Sequence, residues 1–141
     1  MKVLEGHTDT ITAMAIRDDE LYSSSCDFTV RKWKLSDCSC TTIFHTTGWV
    51  WDFCLSKDHL FAACQDALVK KFDKKTGEFI RNFDGHQAAV SRILFIEGEK
   101  TSYIVTSSWD GTLRVFDQEV VQSIVMITIA SPVTKKNNKK Q

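Results

Sequence analysis

The chain has 141 residues, 18 Lys plus Arg against 18 Asp plus Glu, and a formal net charge of zero. Setting aside the lysines at 135, 136, 139 and 140 leaves a body with 14 basic and 18 acidic residues, which argues against a nucleic-acid binder driven by phosphate neutralisation. The length suffices for one domain with a core, and five cysteines without disulfide-framework spacing predict a reducing, intracellular location.

In chain order, Gly6-His7 leads into an apolar pattern at Ile11, Met14 and Ile16. Leu21-Tyr22-Ser23-Ser24 reads as a second strand, Val30 to Trp33 as a third and Cys40 to Phe44 as a fourth. The order then recurs: Val50, Phe53 and Leu55; Leu60 to Ala63; Val69 to Phe72; Phe79 to Phe83. It recurs again after Gly85-His86: Val90, Ile93 and Phe95; Tyr103 to Thr106; Leu113 to Phe116; and an outer strand over about 120–129. These short runs are rich in Val, Ile, Phe and Thr, and no window holds a helical period long enough to compete. The Lys-rich segment 131–141 is expected to be disordered, a solvated tail before a weak nuclear address.

The copies share Asp27-Phe28-Thr29-Val30-Arg31-Lys32-Trp33, Asp66-Ala67-Leu68-Val69-Lys70-Lys71-Phe72 and Asp110-Gly111-Thr112-Leu113-Arg114-Val115-Phe116. Their aspartates are 39 and then 44 residues apart, a period that marks one structural unit used repeatedly. Four strands per period, the two phased Gly-His pairs and the Asp-x-x-Val/Leu-Arg/Lys-x-aromatic runs resemble the WD-repeat β-propeller family over about residues 3–117.

The resemblance implies an all-β partial propeller of three four-stranded antiparallel blades over 1–130, with repeats at about 3–39, 40–78 and 79–117. It also implies a structural hydrogen-bonded chain in each blade. The first copy is complete in His7, Ser23, Asp27 and Trp33. The third has His86, Thr106 and Asp110 but ends in Phe116, which has no donor. The second has Thr46, Ala62 and Phe72 at those positions, so Asp66 is expected to serve the turn alone; His45 is one residue off register. Ser, His and Asp are also the ingredients of a hydrolase triad. A set that repeats with the fold and decays from copy to copy is structural, and no catalytic residue is expected.

Rings of this kind close with four to eight blades, and three do not close one. Lys2-Val3-Leu4 reads as the last strand of a preceding blade, Met1 to Glu5 shows no leader, and the chain is expected to be a fragment of a longer propeller. A homodimer or a partner protein is the other way to complete the ring. Family members use the face that carries the loops before the first strands and before the turn aspartates. Here those positions include Thr10, Thr12, Trp49, Trp51, Ala89 and Ser91, with Cys26, Gln65 and Trp109 ahead of the aspartates. Thr10, Trp49, Trp51, Gln65 and Trp109 are the expected contacts for protein or peptide ligands, because indoles bury much area and keep one donor. The competing role for Trp49 and Trp51 is to fill the space left by the missing histidine of the second copy. Arg31 and Arg114 are expected to be solvated. No cofactor or metal is expected, since Cys38-Ser39-Cys40 with His45 lacks finger spacing and a fourth ligand. No membrane role is expected either, the apolar run at 120–129 being too short to span one. The function implied is an interaction scaffold, cytoplasmic with the nucleus as alternative; a substrate-presenting module of a larger kinase- or ubiquitin-ligase-associated protein is the second option.

Overall fold

A computed structural model describes residues 1–120 and 122–128. The tail at 131–141 therefore lies outside the described residues. Twelve strands form three four-stranded sheets. The first sheet holds β1 (Ile11–Arg17), β2 (Glu20–Ser25), β3 (Thr29–Lys34) and β4 (Ser39–His45). The second holds β5 (Val50–Leu55), β6 (His59–Cys64), β7 (Val69–Asp73) and β8 (Phe79–Phe83). The third holds β9 (Val90–Ile96), β10 (Tyr103–Ser108), β11 (Thr112–Asp117) and β12 (Ser123–Thr128). All neighbouring strands are antiparallel, and no helix occurs among the described residues.

The hairpins follow from local chemistry. Arg17 pairs with Glu20 across Asp18 and Asp19, whose φ values of 53° and 60° give a two-residue turn whose twist matches the strands. The residue after each turn aspartate is left-handed: Phe28 and Ala67 at 69°, Gly111 at 79°. The third sheet differs from expectation at its outer strand, which begins at Ser123 and not at Val120. Asp117 accepts from the Glu119 N–H through its carboxylate (2.9 Å) and from the Val120 N–H through its carbonyl (3.0 Å), which makes this stretch a turn. Lys2 to Leu4 form no strand; with no sheet to pair against, Lys2 Nζ reaches the Ser36 carbonyl at 3.5 Å.

Strand alternation gives each sheet two apolar faces, and the sheets stack on them. Tyr22, Val30 and Phe44 of the first sheet meet Phe53, Leu60 and Phe72 of the second. Phe61, Val69 and Phe83 on the other side of the second sheet meet Ile93, Ile104 and Phe116 of the third. Among the described residues, nothing lies against the two outermost faces. Met14 is 71% exposed while its counterpart Ile93 is 2% exposed. Leu113 and Ile127 are exposed where Val30, Phe44, Val69 and Phe83 are buried. Covering such a side chain stabilises by about 1.5–3 kcal/mol.

Polar bonds also cross between sheets. Lys32 Nζ donates to the Lys74 carbonyl (3.3 Å), and Lys71 Nζ to the Gln118 carbonyl (3.2 Å) with Glu119 Oε1 at 3.3 Å. Both lysines are buried along their stems, with the ammonium directed at the turn of the next sheet. The matching residue of the third sheet is Val115. Nearer the inner strands, Asp52 Oδ2 accepts from the Ile93 N–H (3.0 Å) and Thr12 Oγ1 donates to the Val50 carbonyl (2.5 Å). Burial pushes the Asp52 carboxyl above its ordinary range.

Candidate protein-interaction face

The first sheet carries a closed polar chain. Trp33 Nε1 donates to Ser23 Oγ (2.8 Å), and Ser23 Oγ lies 2.7 Å from His7 Nε2. His7 Nδ1 lies 2.8 Å from Asp27 Oδ2. A neutral imidazole protonated on Nδ1 satisfies every member: indole to hydroxyl, hydroxyl to Nε2, Nδ1–H to carboxylate. Asp27 Oδ1 accepts from the Thr29 N–H (3.0 Å) and hydroxyl (2.6 Å), while the Thr8 N–H reaches Oδ2 (3.1 Å). Burial alone would raise the Asp27 carboxyl, but the Thr29 hydroxyl, His7 and the Thr8 N–H outweigh it and hold it below the ordinary carboxylate range.

The third sheet repeats the arrangement up to its last member. His86 Nδ1 lies 3.0 Å from Asp110 Oδ2 and His86 Nε2 lies 2.7 Å from Thr106 Oγ1. Phe116 occupies the indole position and sets its ring edge-on to His86. Asp110 Oδ1 takes the Thr112 N–H (2.8 Å) and hydroxyl (2.6 Å). Against the opposing effect of burial, Thr112, Gln87 and His86 hold this carboxyl far below the usual range.

The second sheet departs from expectation, because Asp66 is not left to the turn alone. Thr47 Oγ1 donates to Asp66 Oδ2 (2.5 Å), and Lys70 Nζ lies 3.5 Å from the same oxygen and donates to Asn82 Oδ1 (3.2 Å). Lys70 occupies the register of Arg31 and Arg114, so a buried ammonium approaches the carboxylate that lacks an imidazole. Thr46, at the histidine position, turns its hydroxyl to the Gly48 carbonyl (2.8 Å), and His45 ends β4 exposed, away from this chain.

Arg31 and Arg114, expected to be solvated, are half-buried. Each guanidinium lies under the glycine of a Gly-His pair: a Cβ at Gly6 would stand 2.5 Å from Arg31 Nη1, and one at Gly85 2.7 Å from Arg114 Nη1. The pair is thus a two-part device, glycine admitting the arginine and histidine holding the aspartate. Cys38 and Cys40 sit at the start of β4 and His45 at its end, so the strand holds the histidine about 16 Å from Cys40. No group of three His, Cys, Asp or Glu positioned for a metal occurs among the described residues. Burial pushes the Cys64 thiol up to about 12, with Asp66 adding to the effect.

One backbone bond recurs in every sheet and builds a common face. Cys26 N–H donates to the Thr10 carbonyl (2.9 Å), Gln65 N–H to Trp49 (2.8 Å) and Trp109 N–H to Ala89 (3.0 Å). Each bond sets the residue before the aspartate beside the one that opens the inner strand. Trp49, Trp51 and Trp109 consequently form a row, with ring centroids 5.9 Å and then 5.6 Å apart. Trp51 Nε1 donates to Gln65 Oε1 (2.6 Å) and Trp51 is half-buried; Trp49 and Trp109 are exposed. Neither Trp49 nor Trp51 belongs to the apolar clusters between sheets. A cavity of about 340 Å³ opens between Trp51 and Trp109, lined also by Thr10, Thr12, Ser91 and Arg92. A second, of about 250 Å³, lies between Phe28 and Trp49.

Stacked four-stranded antiparallel sheets, joined at their inner strands and sharing one loop face, are the blades of a β-propeller segment. The chain belongs to the WD40 family (WD domain, G-beta repeat), whose family model matches residues 1–34 and 77–117. The stretch between those matches contains most of the copy that lacks the histidine, hydroxyl and tryptophan. Telomerase protein component 1 of Mus musculus is 25% identical over 140 residues, covering 94% of this chain and 5% of that protein. An uncharacterised WD repeat-containing protein of Schizosaccharomyces pombe is 30% identical over 119 residues, 81% of this chain and 31% of that one. The chain therefore spans a third or less of these relatives. The crystal structure of RRP9 WD40 repeats (TM-score 0.81) and the structure of U3-55K (TM-score 0.82) each match 90% of this chain at 20% identity, over 41% and 42% of their own lengths. They share the fold. WD40 propellers generally serve as non-enzymatic interaction scaffolds.

Proposed function

We propose that this chain is a protein-interaction scaffold that docks protein or peptide partners on the face carrying Thr10, Trp49, Trp51, Gln65 and Trp109, and that it has no catalytic activity of its own. The row of three indoles carries this reading, since two of them are exposed at loop positions where packing does not require them. Large amphipathic side chains so placed are the usual anchors of interfaces. Successive rings stand 5.9 and 5.6 Å apart, close to a two-residue step of extended chain at about 6.6 Å, which suits a linear peptide. The mildly acidic body makes nucleic acid a poor partner. The uncovered outer faces are completed by further blades or by a second copy, and the protein works in the cytoplasm or the nucleus.

The test is selection of binders from a display library of random linear peptides against the full chain. Affinities are then measured by fluorescence polarisation for the parent, Trp49→Thr and Trp109→Ala. Binding weakened at least tenfold by both substitutions supports this face; binding indifferent to both rules it out.

A further inference from the structure

The pocket between Phe28 and Trp49 departs from the repeat at its two aromatic walls. Its lining is Phe28, Thr47, Gly48, Trp49, Gln65 and Asp66. Where Phe28 projects, the other copies have Ala67 and Gly111; where Trp49 stands, they have Thr10 and Ala89. Phe28 keeps its exposed ring in a left-handed conformation that disfavours a bulky side chain. Scaffold residues repeat with the blades, and these do not.

The floor departs in the same direction. Asp27 and Asp110 are closed over, with side chains 4% and 8% exposed, whereas Asp66 is 28% exposed. The reason lies in two missing partners. No imidazole covers it, and Leu68 stands where Thr29 and Thr112 supply a hydroxyl. Among the described residues, Asp66 Oδ1 has a single long contact, from the Leu68 N–H at 3.4 Å. Gly48 adds no side chain above it; a Cβ there would stand 3.5 Å from the Asp66 carboxyl carbon. Lys70 and Thr47 engage the other oxygen, Oδ2. The pocket is thus lined by two aromatic side chains and by an aspartate whose Oδ1 has one long contact among the described residues.

We propose that this pocket receives a basic side chain, lysine or arginine, from an extended peptide, its cation hydrogen-bonded to Asp66 Oδ1 and held between the rings of Phe28 and Trp49. A cation suits both elements, since aromatic faces attract it and a carboxylate forms its stronger hydrogen bonds with charged donors. An aliphatic side chain would leave Oδ1 under-satisfied. This ligand class rests on the docking face proposed above.

The peptides selected against the full chain supply the probe. Tight binders are expected to carry a Lys or Arg whose replacement by norleucine lowers affinity about tenfold. Asp66→Asn should cost the same factor, and the two losses should not add when combined. Exchange of Lys and Arg within one peptide distinguishes an ammonium from a guanidinium. Leu68→Thr gives Oδ1 the internal hydroxyl its counterparts have and should weaken binding without lowering the melting temperature. Phe28→Gly and Trp49→Thr copy residues of the other blades, so lost binding in them is not lost folding. Peptides that depend on Trp49 and Trp109 but ignore Asp66→Asn would overturn the basic side chain and leave the face standing. Peptides indifferent to Phe28, Trp49, Asp66 and Trp109, or a library without binders, would overturn both.

Discussion

The first and second blades solve one problem in two ways. Both place an aspartate at the turn between their second and third strands. In the first, Asp27 is closed in by His7, Thr29 and Thr8, and the polar chain continues through Ser23 to Trp33. In the second, Ala62 and Phe72 replace the hydroxyl and indole, the interior is apolar, and Asp66 is held from one side by Lys70 and Thr47. A fully satisfied network fixes geometry, and a partly satisfied one leaves capacity for an outside partner. The blade that has lost the repeat's structural signature thus carries the more open, more distinctive surface.

The largest expected difference between them is thermodynamic. Asp27→Ala strands a buried imidazole and a threonine hydroxyl and should destabilise by about 3 kcal/mol. Asp66→Ala removes a partner from a lysine that keeps Asn82 and should cost about 1–2 kcal/mol. Urea unfolding of the two variants measures the gap, and equal losses would break the comparison. Trp33→Phe, which gives the first blade the ending of the third, should cost about 1–2 kcal/mol in the same assay.

Acid separates the networks next. Asp27 and Asp110 have folded-state values below their unfolded ones, so their contribution is present above the ordinary carboxylate value of about 4 and is lost as pH falls through the lower folded values. Melting temperature should decline as pH drops below that range, and the decline should be shallower in Asp27→Asn and Asp110→Asn. Phe28→Gly relieves a left-handed aromatic residue and should gain about 1 kcal/mol. The smallest effect is Thr46→His, expected within about 0.5 kcal/mol, because Ala62 offers no hydroxyl and Lys70 already holds the carboxylate. A large stabilisation there would show that the second blade accommodates the pattern of its neighbours.

Most of the fold was legible because strands this regular announce themselves through alternation, and because Asp27, Asp66 and Asp110 set the phase. What escaped concerns side chains whose role depends on the adjacent sheet. Nothing in the sequence marks Lys32 and Lys71, yet they are buried and reach carbonyls 42 and 47 residues onward. Arg31 and Arg114 read as exposed until the glycines above them supply the reason they are not. The start of the last strand was misplaced because Val120 has strand propensity while Asp117 imposes a turn. The exchange at Asp66 had a visible signal: Leu68 interrupts the Asp-x-Thr shared by Asp27-Phe28-Thr29 and Asp110-Gly111-Thr112. Its meaning needed the coordinates of Thr47 and Lys70.

The lysine bonds between sheets also give the stack a direction. Each of the first two blades grips its successor, through Lys32 and Lys71, and the third offers Val115 instead. In an array held together by nearest-neighbour contacts, the junction with one fewer kind of fastening is the first to part. Whatever covers the outer face of the third blade meets apolar surface with no lysine from Val115's position to reach across. A junction made there lacks the lysine bond that fastens the other two.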